Sequence, residues 1–527
     1  GEKCPEKLLG DFSFAIWDKR NQKIYCARDP IGIKPFYYYF KEGKFRWSSE
    51  PKAIFEDQAI PKDPNLPLIC LYLLNRFDER EETLYKDVYR LPPSHFMVLE
   101  NGKTRKGQYW DIDPNYAIRY KTDEEYAEHF FSLFKEAVKV RLRSHGPVGA
   151  LLSGGLDSSS IVCTAQKLYQ EKSIPNNGFE TFSLIFDQFP CDERFYINEA
   201  VQKWNLKANY ITYENILSYV NFEQTEKYPG VGYFPPLLSF VPIQIYGLQK
   251  GIRIMFSGVG GDELFAAGVN HLTDFTLSGS IIKLMTQLRH DSVIYSCSPY
   301  SLFINYCIKP LIPRSIKVCI RELIKPFYGN GIPSWINSNF LKRAKIAERI
   351  RSVRSIKQFQ THSQQQIYAG IRYGWNNSIA LSLEENLNSY FGKEIRYPFF
   401  DRRLVEFSLA IPEQQRWHNE WPKTVLRKAM DGVLPDLVKN RKSKAEYSSV
   451  IDWEVKKRQA YKMEEFILTS ALADLGLIHN EQFYRMFKYY QSGNPSCKIR
   501  NILETFIWLE LWYRSEWTDV RKEERND

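Results

Sequence analysis

A chain of 527 residues with 43% hydrophobic and 25% charged side chains is too long for one core and too evenly balanced for a disordered or collagenous class, so two or three soluble domains are expected. The net charge of +10 is spread over that length, which suits anionic ligands such as nucleotides and gives no reason to expect a nucleic-acid partner. Nine cysteines, at 4, 26, 70, 163, 191, 297, 307, 319 and 497, form no CxxC pair, which argues against a zinc ribbon and a disulfide framework and favours a cytoplasmic location.

The chain opens at Gly1 almost directly on a strand pattern, as a fragment would, and no signal peptide is legible. Phe12, Phe14 and Ile16 alternate with small residues, and residues 23–27 and 36–40 form two more strand-like runs. Arg28-Asp29-Pro30-Ile31-Gly32 carries turn chemistry between them, and Asn101-Gly102 marks a later hairpin. This β-rich region ends near Trp110-Asp111-Ile112-Asp113-Pro114, so domains are expected over 1–112 and 113–527.

From Thr122 the apolar period becomes helical: Tyr126, Phe130, Phe134, Ala137 and Val138 share one face. A strand is expected over 148–152, followed by a glycine loop and a helix, with further strands at 181–186 and 252–256. Alternation of this kind predicts a parallel sheet with helices on both faces. After residue 268 the pattern is almost wholly helical. The apolar stretch 293–313 is the one membrane candidate; Lys309 and two prolines inside it favour a buried helix, and no membrane partner is expected. Residues 281–360 hold 14 Lys or Arg against 3 acidic residues, which reads either as solvated helix faces or as a docking surface for an acidic, nucleotide-bearing or peptide partner.

Chemistry concentrates in Ser153-Gly154-Gly155-Leu156-Asp157-Ser158, directly after the strand ending at Leu152. The GKS ending of a Walker loop is absent, but the physics is related. Two glycines let backbone N–H groups approach an anion, and the helix that follows aims its positive end at the same spot. Asp157 would repel a phosphate unless a cation lay between them, which implies Mg2+. A second glycine segment, Ser257-Gly258-Val259-Gly260-Gly261-Asp262-Glu263-Leu264-Phe265, follows the strand 252–256 and supplies a second carboxylate, Asp262.

SGGLDS resembles the pyrophosphate loop of the ATP pyrophosphatase (PP-loop) group, and the second segment resembles the SGEGxDELF stretch of asparagine synthetases. Three further blocks extend the likeness: Glu394-Ile395-Arg396-Tyr397-Pro398-Phe399, Lys423-Thr424-Val425-Leu426-Arg427 and Arg441-Lys442-Ser443-Lys444. The strands around Leu9-Gly10-Asp11-Phe12 and Arg28-Asp29-Pro30 resemble the later half of the family's class II glutamine amidotransferase domain. The resemblance, running from residue 1 to about 450, is to the asparagine synthase family, possible ring-closing and peptide-modifying branches (lasso-peptide cyclases, β-lactam synthetases) included. It implies a partial amidotransferase domain and then a doubly wound ATP pyrophosphatase domain with a largely helical C-terminal half.

The resemblance further implies that ATP is bound by Leu152, Ser153, Gly154, Gly155, Asp157, Ser158, Ser183, Ser257 and Gly258, with Mg2+ between Asp157 and Asp262. Lys444 would balance transition-state charge and Glu394 would deprotonate the attacking amine. A carboxylate would be adenylated and then joined to ammonia or an amine. Two departures bear on the product. The family's amidotransferase nucleophile and its partners lie upstream of the portion present here, so no glutaminase activity is expected of this chain. Val259 stands where asparagine synthetases carry a glutamate, which favours a bulkier acceptor. Plain asparagine synthesis, a lactam cyclase and a non-catalytic binding protein that keeps the fold are the three readings; intact Asp157, Asp262, Glu394 and Lys444 count against the third.

Overall fold

The computed structural model describes residues 1–217, 240–266, 268–294, 297–313, 316, 333–351, 357–374, 379–418, 421–442, 445, 447–493 and 497–523. Strands β1 (Ser13–Asp18), β2 (Lys23–Arg28), β3 (Tyr37–Lys41), β4 (Lys44–Ser48), β5 (Val88–Arg90), β6 (His95–Glu100) and β7 (Lys103–Gln108) form two antiparallel sheets, ordered β1-β2-β6-β7 and β4-β3-β5. The expected turn after β2 is built on Asp29, whose buried carboxylate accepts the N–H groups of Ile31, Gly32, Ile33 and Lys34 at 2.7–3.1 Å. Arg28, also buried, donates to the carbonyls of Gly32, Lys34 and Leu91. The two buried charged side chains of this turn are thereby hydrogen-bonded inside the protein, as burial requires.

The helix Asp123–Arg141 starts on a capping box: the Thr122 hydroxyl accepts from Glu125 N–H and the Glu125 carboxylate accepts from Thr122 N–H. Its face of Tyr126, Phe130, Phe134, Ala137 and Val138 is buried, as the period predicts. Five strands then form one parallel sheet: β8 (Val148–Leu151), β9 (Phe179–Ile185), β10 (Lys207–Thr212), β11 (Ile254–Phe256) and β12 (Glu394–Arg396), in the order β10-β9-β8-β11-β12. Alternate residues feed separate cores. Phe182 and Met255 enter one; Ala150, Ile254, Phe256 and Ile395 enter the other.

The three central strands were expected and the two edges were not. In β10 and β12 half-exposed, charged positions break the apolar run that betrays an inner strand. Among the described residues the helical second half is present, with β12 and the short antiparallel pair Trp417–His418 and Trp421–Pro422 as its exceptions. The stretch 293–313 corrects the expectation of a buried helix. Its described residues hold the short helix Pro299–Leu302, one wide turn (Phe303–Ile308) and a tight turn (Lys309–Leu311), and among them Leu302 and Cys307 are buried. Two internal prolines limit regular helix there. No helix among the described residues is long and apolar enough to cross a membrane.

Ion pairs join the two halves. Arg372 donates to Asp111 at 2.7 Å and to Ser94 Oγ and the Pro30 carbonyl. Arg141 bridges Asp11 and Asp401 at 3.2 and 3.0 Å, and Lys34 meets Glu385 at 2.7 Å.

Candidate active site

Because all five strands run one way, their carboxyl ends share one edge. From β8 the sheet grows through β9 and β10 on one side and through β11 and β12 on the other, so the β8–β11 crevice is the switch point where such sheets take ligands. Two glycine loops meet there. Gly154 has φ +70°, and a Cβ on it would lie 2.9 Å from Tyr196 Cβ. A Cβ on Gly258 would come within 2.9 Å of Ser158 N, and one on Gly261 within 2.4 Å of Asp157 Cγ. Missing side chains therefore let the second loop pack directly on the first.

Within the first loop, Ser158 Oγ accepts from Ser153 N–H at 3.1 Å and lies 3.0 Å from Ser153 Oγ. The helix Leu156–Gln170 begins at this point with Gly155 as its cap residue. Leu152 is buried. Ser183, on β9, donates its hydroxyl to the Leu152 carbonyl at 2.6 Å, so it braces the loop from beneath. Ser257 is held to β12 through its N–H and the Arg396 carbonyl, and its hydroxyl accepts from Val259 N–H at 3.3 Å.

Asp157 and Asp262, read from the sequence as metal ligands, converge. The cation between them is the ammonium of Lys423, 2.5 and 2.6 Å from the Asp157 oxygens and 2.6 Å from Asp262. Lys423 is buried. Burial works to lower its pKa, but the two carboxylates outweigh it and hold the amine above the usual lysine range. A hairpin of β13 (Trp417–His418) and β14 (Trp421–Pro422) delivers it, and Lys423 leaves that hairpin with φ +58°. The KTVLR block contains this residue, but no local pattern tells that it points between two carboxylates more than 150 positions away.

Two arginines were also missed. Arg441 donates to the Gly154 carbonyl at 3.2 Å, pairs with buried Glu193 at 2.5 Å and lies over the Tyr196 ring at 4.1 Å. Arg427 donates to the Pro422 and Arg441 carbonyls, so it ties the hairpin to the segment around 441. Lys442 instead covers the Trp421 ring at 4.4 Å. Arg441→Ala is expected to lower kcat/KM for ATP about 10- to 100-fold, as for loss of a charged hydrogen bond. Lys442→Ala is expected to stay within about threefold, because an exposed cation–π contact is weak. Steady-state kinetics in varied ATP distinguish the two; equal effects would refute the clamp. Lys444 lies outside the described residues.

Glu394 is not brought to the loops. It opens β12 level with Ile254 and Val148, two residues (roughly 7 Å) below the carboxyl ends of β11 and β12. Its carboxylate accepts from Arg396 at 3.0 Å and lies 3.9 Å from Lys34. Burial acts to raise its pKa, yet the Arg396 bond and Lys34 prevail and hold it below the usual range, which weakens it as a base. Glu384, on the helix Leu381–Tyr390, has the opposite character. Burial pushes its pKa up to about 7, with Glu263 and Glu385 adding to the rise and a 2.6 Å bond from Tyr397 Oη opposing it. Neighbouring charge from Glu263 ties Glu384 to the second glycine segment, where half-buried Val259 packs on the core.

Among the described residues no group of three or more His, Cys, Asp or Glu side chains is placed to cage a metal. Two carboxylates converging on a single cationic point do fit Mg2+, which takes one or two protein carboxylates and fills its remaining positions with phosphate and water.

Family models match both halves: "Asparagine synthase" over residues 129–514 and "Glutamine amidotransferase domain" over residues 1–110. The chain belongs to the asparagine synthase family, a family of ATP-dependent ligases. Asparagine synthetase (glutamine-hydrolyzing) 1 of Bacillus subtilis (strain 168) is 26% identical over 538 residues, 97% of this chain and 79% of that protein. Amidase chry2 of Gibberella zeae is 24% identical over 482 residues, 83% of this chain and 69% of that protein. A Methanocaldococcus jannaschii protein is 31% identical over 286 residues, 53% of each chain. This asparagine synthase family chain thus spans between about half and four-fifths of the length of these relatives.

Proposed function

We propose that this chain adenylates a substrate carboxylate with ATP and passes the acyl group to an amine, forming an amide. The observation that carries the reading is the meeting of Asp157 and Asp262 on one cation beside the Ser153–Ser158 loop, at the switch point of the sheet. ATP would lay its phosphates on the loop amides and the helix N-terminus, with Lys423 and Arg441 alongside. Asp157 and Asp262 would hold Mg2+, which screens the phosphates from both carboxylates when bound. The substrate carboxylate attacks the α-phosphorus; that O–P bond forms, the bond to the bridging oxygen breaks and pyrophosphate leaves. The amine then attacks the acyl carbon, AMP departs and the amine's proton goes to a carboxylate.

Glu384 takes that role better than Glu394. An ammonium must lose a proton near neutral pH, and a base poised near 7 matches the task. Lys444 keeps its role as a proposed transition-state cation on the strength of the family motif. Val259 supports an acceptor larger than ammonia, since a valine offers apolar surface and no place for an ammonium ion; a lactam or peptide amide is favoured on that ground over asparagine.

Pyrophosphate exchange into ATP tests the reading across aspartate, short peptides and amino-acid derivatives. Carboxylate-dependent exchange is expected; orthophosphate with ADP as the products would overturn it. Glu384→Gln is expected to keep exchange and to lose amide formation by about 10²-fold or more. It should also abolish the rise of amide formation with pH through about 7. A carboxyl with a raised folded pKa stabilises the acid side and loses that contribution as pH climbs from its unfolded value through about 7. Glu384→Gln should therefore raise Tm more at pH 8 than at pH 5.

A further inference from the structure

A soluble helix ordinarily buries its apolar stripe and turns polar residues to water. The helix Ile281–Ile294 breaks that rule on its outer face. Ile282 is 84% exposed, Val293 79%, Ile281 71% and Met285 52%, with Arg289 between Ile282 and Val293 at helical spacing. Its inner face buries polar groups beside Leu284 and Leu288. Asp291 is fully buried, accepting from Gln287 Nε2 at 2.8 Å and facing His271 Nε2 at 2.8 Å, and His271 stacks on Trp417 of the β13–β14 hairpin. The outward apolar surface continues on the next segment, where Tyr300 is 74% exposed. Charge on this unit is one-sided: among the described residues of 281–313 there are three Lys or Arg, Lys283, Arg289 and Lys309, and a single acidic residue, the buried Asp291.

Outward isoleucine, valine and methionine interleaved with cations, with no exposed carboxylate among the described residues of this unit, is the pattern of a helix lying in a membrane interface. We propose that this face docks on an anionic lipid surface, with the helix in the plane of the headgroups and nothing spanning the bilayer. A second copy meeting the same face would set Lys283, Arg289 and Lys309 against their own like, without a carboxylate to neutralise them. Ile282 and Val293 offer a nucleic-acid backbone no hydrogen bond. The lipid phosphates supply the missing negative charge, and the acyl boundary covers the apolar side chains. Through His271 and Trp417 the docked unit is joined to the hairpin that delivers Lys423, so the site would work close to the lipid surface.

Co-sedimentation of the 527-residue chain with vesicles tests this, using phosphatidylcholine alone and phosphatidylcholine mixed with phosphatidylglycerol. At least ~10-fold more protein is expected on the anionic vesicles, falling as salt rises. Ile282→Glu combined with Val293→Glu should reduce binding to the phosphatidylcholine level while circular dichroism and Tm stay unchanged. Ile282→Ser, a milder change at an exposed site, should lower it several-fold and gives the same reading if the double variant fails to fold. Equal binding to both vesicle types, or wild-type binding by the variants, would overturn the proposal. So would an absence of vesicle binding together with an oligomer, or an acidic-peptide complex, that the double variant dissolves.

Discussion

Asp157→Asn and Asp262→Asn are each expected to lower ATP–pyrophosphate exchange by at least ~10²-fold, the scale on which a preorganised electrostatic contact at a reacting phosphate acts. The two carboxylates share one cation, so the loss should be strongly non-additive, with the double variant scarcely worse than either single one. Each single variant leaves Lys423 one carboxylate, and the amine should then titrate lower than in the parent chain. Exchange should recover partly as Mg2+ is raised, because the weakened site is refilled by mass action. Near-parental exchange in either variant at ordinary Mg2+ would remove the shared-cation arrangement from the mechanism.

Lys423→Ala should be as damaging to exchange, by ~10²–10³-fold, if its ammonium is passed from the carboxylates to the departing pyrophosphate. Its effect on stability has a separate sign. Without the lysine, Asp157 and Asp262 lose the cation they share, which costs about 2 kcal/mol, between the values for exposed and for fully buried pairs. Added Mg2+ should restore Tm in Lys423→Ala more than in the parent chain, since a divalent ion replaces the missing charge. A variant whose Tm ignores Mg2+ while exchange persists would mean that the pair Asp157–Asp262 does not form a cation site at all.

Much of this site is local in origin, which is why it could be read before the fold was known. A strand, two glycines and a helix start within a dozen residues form a local pattern, and the structure sets residues 153–158 between the end of β8 and the first turn of the helix Leu156–Gln170. The resemblance implies Ser183 as an ATP contact; in the structure its hydroxyl donates to the Leu152 carbonyl. For Glu394 a motif gives spacing and no height along a sheet: the parallel register sets it level with Ile254, below the edge where the loops lie. Glu384 carries no such local sign: its raised pKa comes from burial first, with the charges of Glu263 and Glu385 added, and burial is a property of everything packed around it.

The amino-acid sequence by itself determined the order of the two domains, the three inner strands of the parallel sheet and the two glycine segments that make the cradle. Those depend on neighbours a few residues apart: apolar period, turn residues, and φ values or close approaches that only glycine permits. The tertiary structure alone decided which distant side chains share a charge. Lys423 lies between Asp157 and Asp262, Arg441 is fastened to Gly154 and Glu193, and the helix Ile281–Ile294 turns Ile281 and Ile282 outward while burying Asp291. Electrostatic energy falls off with distance in space, whatever the separation along the chain, so these pairings come into being only when the sheet has closed.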